Sequence, residues 1–81
     1  MEHMPVKSSR LKSIGYDIDQ RKLEVLYKNG QLYRFKEVPP NFYTECMMAN
    51  SIGKYYFNNI KDSFPYQVFD TQIEEPEEEE A

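Results

Sequence analysis

Apolar and polar residues alternate with a period of two between Ile14 and Phe35, and this pattern limits most strongly what the chain can fold into. Period two is typical of half-buried strands. Turn-forming residues, 19–22 and 28–30, divide the pattern into three runs. Strands joined by such short connections pair antiparallel, so the sequence predicts a three-stranded antiparallel β-meander. Its core-facing residues are expected to be Ile14, Tyr16, Ile18, Leu23, Val25, Tyr27, Tyr33 and Phe35.

The second turn decides the register of the last two strands. A two-residue Asn29-Gly30 turn would place apolar Val25 opposite basic Arg34. A three-residue loop, 28–30, instead pairs Val25 with Tyr33, Leu23 with Phe35 and Glu24 with Arg34. We expect the second register because it matches chemistry on both faces. Gly30 should then adopt a left-handed conformation.

A helical region is predicted after the sheet, from residue 40 to 61. Phe42, Cys46, Ala49, Gly53, Tyr56 and Ile60 recur at spacings of three and four, which makes one apolar stripe. Either one long helix or two shorter helices fits the stripe, and a break near Asn50-Ser51 is favoured because Ser51 is a good N-cap. Residues 64–69 form a short extended segment that could add a C-terminal strand. The fold class is therefore α+β, with the helical region covering one face of the meander.

Charge divides the chain into a basic folded part and an acidic tail. The net charge is −4, yet ten basic residues outnumber seven acidic ones between residues 5 and 70. Residues 71–81 carry six glutamates and are expected to be a disordered tail, serving either solubility or competition for a basic surface. Residues 1–5 are expected to be disordered or a non-native remnant, which leaves 6–70 as a single domain.

Composition argues against most enzyme classes. One cysteine and one histidine, Cys46 and His3, allow no disulfide within the chain, no cysteine-rich zinc site and no catalytic triad. Cys46 lies on the apolar stripe, where a buried structural thiol is expected. The three glycines are isolated, so no phosphate-binding glycine loop is present. We expect a non-enzymatic protein without cofactor or metal, without a membrane span and in a cytoplasmic setting.

Nucleic-acid binding is the function that the sequence favours. The candidate residues are basic side chains along the strands and helical region, with Tyr55 as a ring for base stacking: Arg10, Lys12, Arg34, Lys36, Lys54, Tyr55 and Lys61. The alternative is that these are ordinary surface charges, with Arg34 paired to Glu24. Such a site would bind RNA or other nucleic acid weakly, with dissociation constants of about 10⁻⁴ to 10⁻⁶ M.

Protein association is the second functional hypothesis. Leu26 and Leu32 come opposite one another on the outer sheet face in the expected register, with Leu11 near them. Either residues 64–69 cover this patch, or a partner protein or second copy of the chain does.

The order of short motifs resembles the KTSC domain, a small family named for its occurrence at the C-terminus of some lysyl-tRNA synthetases. These motifs are Val6-x-Ser8-Ser9, Gly15-Tyr16-Asp17, Asn29-Gly30, Tyr33-x-Phe35, Val38-Pro39 and Ala49-x-Ser51-x-Gly53-x-Tyr55-Tyr56. The family also occurs as short proteins of bacteria and phages. The resemblance spans residues 6–64 and implies a small domain without established activity, for which RNA binding has been suggested. Phe35 and Phe57 depart from the family's usual tyrosine and asparagine.

Overall fold

A computed structural model describes residues 1–70 as one antiparallel sheet with a short helical layer on one face. The strands are β1 (His3–Pro5), β2 (Leu11–Asp17), β3 (Lys22–Tyr27), β4 (Gln31–Phe35) and β5 (Tyr66–Asp70). Between β4 and β5 lie α1 (Pro40–Met48), α2 (Ile52–Tyr55) and a π-helical turn (Tyr56–Ile60). No helix in this part of the chain has the length and apolarity needed to cross a bilayer.

The sheet has five strands rather than the three predicted, in the order β1-β2-β3-β4-β5. Residues 1–5 were expected to lie outside the domain, but His3–Pro5 pair with Ser13–Gly15 and form an edge strand. Three residues are too short to show an alternating pattern, so the sequence carries no sign of β1. The extended segment expected at residues 64–69 becomes β5 at the opposite edge. The predicted acidic tail, 71–81, lies outside the described residues.

The register predicted for the β3–β4 hairpin is confirmed. Val25 pairs with Tyr33, Leu23 with Phe35 and Leu26 with Leu32. Gly30 has a φ of 97°, and its N–H donates to the Tyr27 carbonyl at 3.0 Å. A residue with a Cβ is strained at this φ, so glycine at position 30 allows the loop to close in three residues.

The core lies between the inner sheet face and the helical layer. Its nine buried apolar residues are Leu11, Ile14, Leu23, Val25, Phe35, Val38, Cys46, Tyr56 and Ile60. Ile18 was expected in this core, but the structure places it in solvent with 63% exposure. The strand ends at Asp17, whose carboxylate accepts the backbone N–H groups of Asp19 and Gln20 and so begins the turn that includes Ile18.

The helical region is interrupted where the sequence favoured a break. α1 ends at Met48, and the Ser51 hydroxyl accepts the Lys54 N–H at 3.3 Å as the N-cap of α2. The last turn is wider than an α-helix, since the Lys61 N–H donates to the Tyr56 carbonyl five residues earlier. Two helices therefore form, followed by a π-helical turn that was not predicted.

Candidate nucleic-acid interface

The seven residues predicted to bind nucleic acid do not form one surface. Arg10 and Lys54 line the same cavity. Arg34 lies on the outer sheet face, and Lys61 is held over tyrosine rings. Lys12 and Lys36 are exposed, and they line neither this cavity nor a second cavity described below. Tyr55 is half-buried and bonded within the helical layer.

A cavity of about 240 Å³ opens between the loop before β2 and the start of α2. We call it the serine cavity, because three of its eight lining residues are serines. The lining residues are Lys7, Ser8, Ser9, Arg10, Ser51, Gly53, Lys54 and Phe57. The loop turns sharply because the Ser8 hydroxyl accepts the backbone N–H groups of Arg10 and Leu11, each at 3.3 Å.

Gly53 allows the loop and α2 to approach closely. A Cβ at position 53 would lie 2.9 Å from the Ser8 hydroxyl oxygen. Gly53 belongs to the apolar stripe of the region expected to cover the sheet, but outside its own helix a Cβ there would meet only the Ser8 side chain, in the loop before β2. The apolar stripe is therefore interrupted, and only Cys46, Tyr56 and Ile60 of its six members are buried.

Positive charge dominates the serine cavity. Lys7, Arg10 and Lys54 line it, and none of its eight lining residues is acidic. Within residues 1–70 no carboxylate forms an ion pair with any of the three. The Arg10 guanidinium carbon lies 4.3 Å from the centre of the Phe57 ring, a cation–π contact that holds the charge at the cavity mouth. Hydroxyl and cationic donors converging on one space make a site for an anion.

A second cavity, of about 360 Å³, shares Ser9 and Arg10 with the first. We call it the amide cavity; its remaining lining residues are Tyr27, Lys28, Asn29 and Gln31. The Asn29 amide nitrogen donates to the Gln31 side-chain oxygen at 3.3 Å, and the Asn29 oxygen accepts the Gln31 backbone N–H at 2.9 Å. These bonds fix both amides at the rim.

Tyr27 contributes a neutral phenol to the amide cavity. Its hydroxyl bonds to that of Tyr56 at 2.7 Å. Burial raises the pKa of Tyr27 to about 12 and the pKa of Tyr56 further still. Both phenols stay protonated at physiological pH, so they add no negative charge to this basic surface.

Arg34 is engaged on the opposite side of the sheet. Its guanidinium donates to one carboxylate oxygen of Glu24 at 2.8 Å, and the His3 imidazole contacts the other oxygen at 2.8 Å. Arg34 also lies over the Phe69 ring, at 4.9 Å. Burial would raise the pKa of Glu24, but the hydrogen bonds from His3 and Arg34 outweigh it, and the pKa is lowered. Arg34 therefore belongs to a structural ion-pair network, the alternative stated for it above.

Tyr55 and Lys61 are also held by neighbours. The Tyr55 hydroxyl donates to the Glu45 carboxylate at 2.9 Å. The Lys61 ammonium lies 4.9 Å from the centre of the Tyr66 ring and 5.5 Å from that of Tyr33. Arg10 and Lys54 are therefore the members of the predicted set that line one cavity together.

Cys46 shows no feature of a reactive thiol. It is buried, and desolvation raises its pKa to about 11, so the nucleophilic thiolate is scarce at neutral pH. Across residues 1–70, no three potential metal-ligating side chains of His, Cys, Asp or Glu come together.

The outer sheet face carries the second hypothesis. Leu26 lies opposite Leu32, and Phe69 pairs with Leu32 from the next strand with 39% of its surface exposed. Strand β5 therefore extends this apolar row instead of covering it. Leu11 is not part of it, because an irregularity between Leu11 and Ser13 shifts the register and Leu11 is buried in the core.

Six residues of the serine cavity were not predicted as site residues: Lys7, Ser8, Ser9, Ser51, Gly53 and Phe57. The signal was present, since the Val6-x-Ser8-Ser9 and Ser51-x-Gly53 motifs are among those that carry the family resemblance. Forty-two residues separate Ser9 from Ser51 in the chain, and only the fold brings the two motifs together.

Comparison with known proteins identifies the family. A crystal structure of a KTSC domain protein from Yersinia pestis aligns with a TM-score of 0.80 at 35% identity, covering 84% of this chain and 96% of that one. A protein from Stutzerimonas stutzeri is 40% identical over 60 residues, 74% of this chain and 83% of the relative. A protein from Tsukamurella paurometabola is 32% identical over 60 residues, 74% and 90% of the two chains. The family model of the KTSC domain matches residues 7–64, which include every residue lining the two cavities, and the chain belongs to this family.

Proposed function

We propose that this protein is a non-enzymatic module that binds nucleic acid through phosphate contacts in the serine cavity. The observation that carries the proposal is the lining of that cavity, in which three serines and three cations converge without an acidic residue. Phosphate oxygens accept hydrogen bonds from hydroxyl groups and form stronger, charge-assisted bonds with arginine and lysine.

The cavity supports weak, salt-dependent binding. Three phosphate contacts by Lys7, Arg10 and Lys54 would give a slope of about −2 for log K against log salt with a single strand. Affinities of about 10⁻⁴ to 10⁻⁶ M are typical of such complexes at physiological salt.

RNA is the form of nucleic acid that we favour. The support is the family's namesake position at the C-terminus of some lysyl-tRNA synthetases, a relation that rests on the sequence resemblance. We also propose that the protein works in the cytoplasm. Arg34, Tyr55 and Lys61 are not part of the proposed site, because each is held by contacts elsewhere.

A salt titration with a fluorescently labelled RNA tests the proposal. Anisotropy from about 20 to 200 mM salt should show binding that weakens with salt, and Lys54→Gln should weaken it and reduce the slope by about 0.7. Lys22→Gln is the matched control, since it also removes one lysine charge. Lys22 lies at the start of β3, whereas Tyr27 of the amide cavity lies at its end, and Lys22 lines neither cavity. Absence of RNA and DNA binding at about 20 mM salt, where screening is weak, would refute the proposal.

Association through the outer sheet face is the second candidate function. The apolar row of Leu26, Leu32 and Phe69 favours it, with a second copy of the chain as the partner to test first. Sedimentation velocity at rising concentration should show a dimer that Leu32→Asp abolishes, while RNA affinity stays unchanged. A monomer at all concentrations would remove this candidate for self-association.

A further inference from the structure

The two cavities lie next to each other, since Ser9 and Arg10 line both, and we call the pair the groove. Resting on the function proposed above, we infer that this groove takes a single-stranded nucleic acid, with a phosphate in the serine cavity and the adjoining unpaired base in the amide cavity.

The amide cavity has the chemistry of a base subsite. Apart from the shared Ser9 and Arg10, it is lined by one tyrosine, two residues with side-chain amides and a lysine. The Gln31 amide oxygen already accepts from Asn29. Its amide nitrogen has no protein acceptor within residues 1–70, and it can donate to a ring nitrogen or carbonyl of a base. A volume of about 360 Å³ lies in the range of ~300–1,000 Å³ common for small-molecule sites.

Arg10 joins the two subsites. Its guanidinium lies over the Phe57 ring and forms no ion pair with a carboxylate of residues 1–70, so its N–H groups can donate to phosphate oxygens. A phosphate bound there would carry its sugar and base towards either cavity. Both cavities carry cations, but the serine cavity adds three hydroxyl groups and the amide cavity adds two amides and a phenol, so the phosphate and the base each have matching donors and acceptors.

A duplex does not fit this arrangement. Its bases are stacked and paired, and their edges cannot enter a recess lined by amides unless the strand is opened. A free phosphate would use only the serine cavity. The groove therefore favours a single strand over both, with Lys28 adding a further backbone contact at the rim.

The full-length chain can be tested with three probes at about 50 mM salt: a labelled single-stranded RNA octamer, the same sequence as a duplex, and inorganic phosphate as competitor. We expect the single strand to bind about tenfold more tightly than the duplex. Gln31→Ala should weaken the single strand about fivefold, the value of one lost hydrogen bond, and leave the duplex unchanged. Lys54→Gln should weaken both.

Equal affinity for single strand and duplex, or no effect of Gln31→Ala, overturns the inference while leaving the proposed function standing. Failure of the wild type to bind any nucleic acid overturns both. Gln31 lies in β4, so its substitution can also disturb folding. Amide NMR of the wild-type protein avoids this problem because it needs no substitution. Single-stranded RNA should shift the side-chain amide signals of Asn29 and Gln31 together with the backbone signals of Ser8 and Ser9, and unmoved side-chain amides would contradict the base subsite.

Discussion

The Arg10 guanidinium lies over the Phe57 ring, 4.3 Å from its carbon to the ring centre, and this contact joins the loop before β2 to the π-helical turn. It also places the one cation common to both cavities. The position of Arg10 therefore depends on the ring at position 57.

Removing the ring should release Arg10. We expect Phe57→Leu to weaken RNA binding about two- to fivefold, because an exposed cation–π contact contributes about 0.5–1 kcal/mol. Phe57→Tyr keeps a ring face and should bind as the wild type does. Anisotropy titration measures both, and equal affinities for the leucine and tyrosine variants would show that the stacking does not position the cation.

The Ser8–Gly53 approach predicts a coupling between two substitutions. Replacing glycine by alanine within a helix usually raises the free energy of unfolding by about 1 kcal/mol. Gly53→Ala should not show this gain, because the new Cβ would lie 2.9 Å from the Ser8 hydroxyl oxygen. The Ser8 Cβ is 3.8 Å away, so in a Ser8→Ala background the alanine should fit. Urea unfolding of the four proteins should give a coupling of about 0.5–3 kcal/mol. Additive effects would mean that the loop moves freely.

The β3–β4 loop needs glycine at position 30. Gly30→Ala should lower the free energy of unfolding by about 1–2 kcal/mol, since a φ of 97° is strained for a residue with a Cβ. Gly30→Asn should cost less because asparagine tolerates the left-handed region better. Urea midpoints compare the two, and an unchanged midpoint for alanine would contradict the loop geometry.

Glu24 should make stability depend on acid pH. Its pKa in the folded protein lies below its ordinary value of 4.5, so its contribution is complete above that value and is lost as pH falls through the folded pKa. We expect Glu24→Gln to cost about 1–3 kcal/mol at pH 7, because the bonds to His3 and Arg34 are charge-assisted. Unfolding curves from pH 7 to 3 should converge at the acid end.

The control for that experiment is Glu37→Gln. Glu37 is exposed and has no ion-pair partner within residues 1–70. Its difference from the wild type should stay small at every pH. A Glu24→Gln difference that persists at pH 3 would assign the cost to packing instead of charge.

The acidic segment should weaken RNA binding. Replacing the six glutamates of residues 71–81 by glutamine removes six negative charges and changes the net charge from −4 to +2. We expect tighter RNA binding, most clearly at about 20 mM salt, where screening is weakest. The same affinity before and after replacement, at low salt, would favour a role in solubility alone.

Local patterns predicted much of the fold and less of the site. Alternation at Leu23 and Val25 and the Lys28-Asn29-Gly30 loop were enough for the central hairpin, because register follows from short-range chemistry. Strand β1 shows no such pattern; it is held by the contacts of His3 with Ser13 and Glu24, which are distant in sequence.

The site needed tertiary information in the same way. Charge counting selected Arg10 and Lys54 but also Arg34, whose neighbour Glu24 neutralises it. The sequence analysis named the serines only as parts of motifs, because the role of a hydroxyl group in binding depends on the groups around it. Ser9 and Ser51 meet through packing of the loop on α2, which no periodicity encodes.

Strand order in the sheet equals strand order in the chain, and this has a consequence for synthesis. The chain leaves the ribosome from its N-terminus, so each strand can pair with the one before it as soon as it emerges. β2, β3 and β4 are complete at Phe35, and three strands are about the minimum for independent stability. The helical layer follows only from Pro40 onwards. A meander that forms at this stage would expose its apolar inner face until α1 and the π-helical turn arrive, and a chaperone that recognises apolar strands would bind it in that interval.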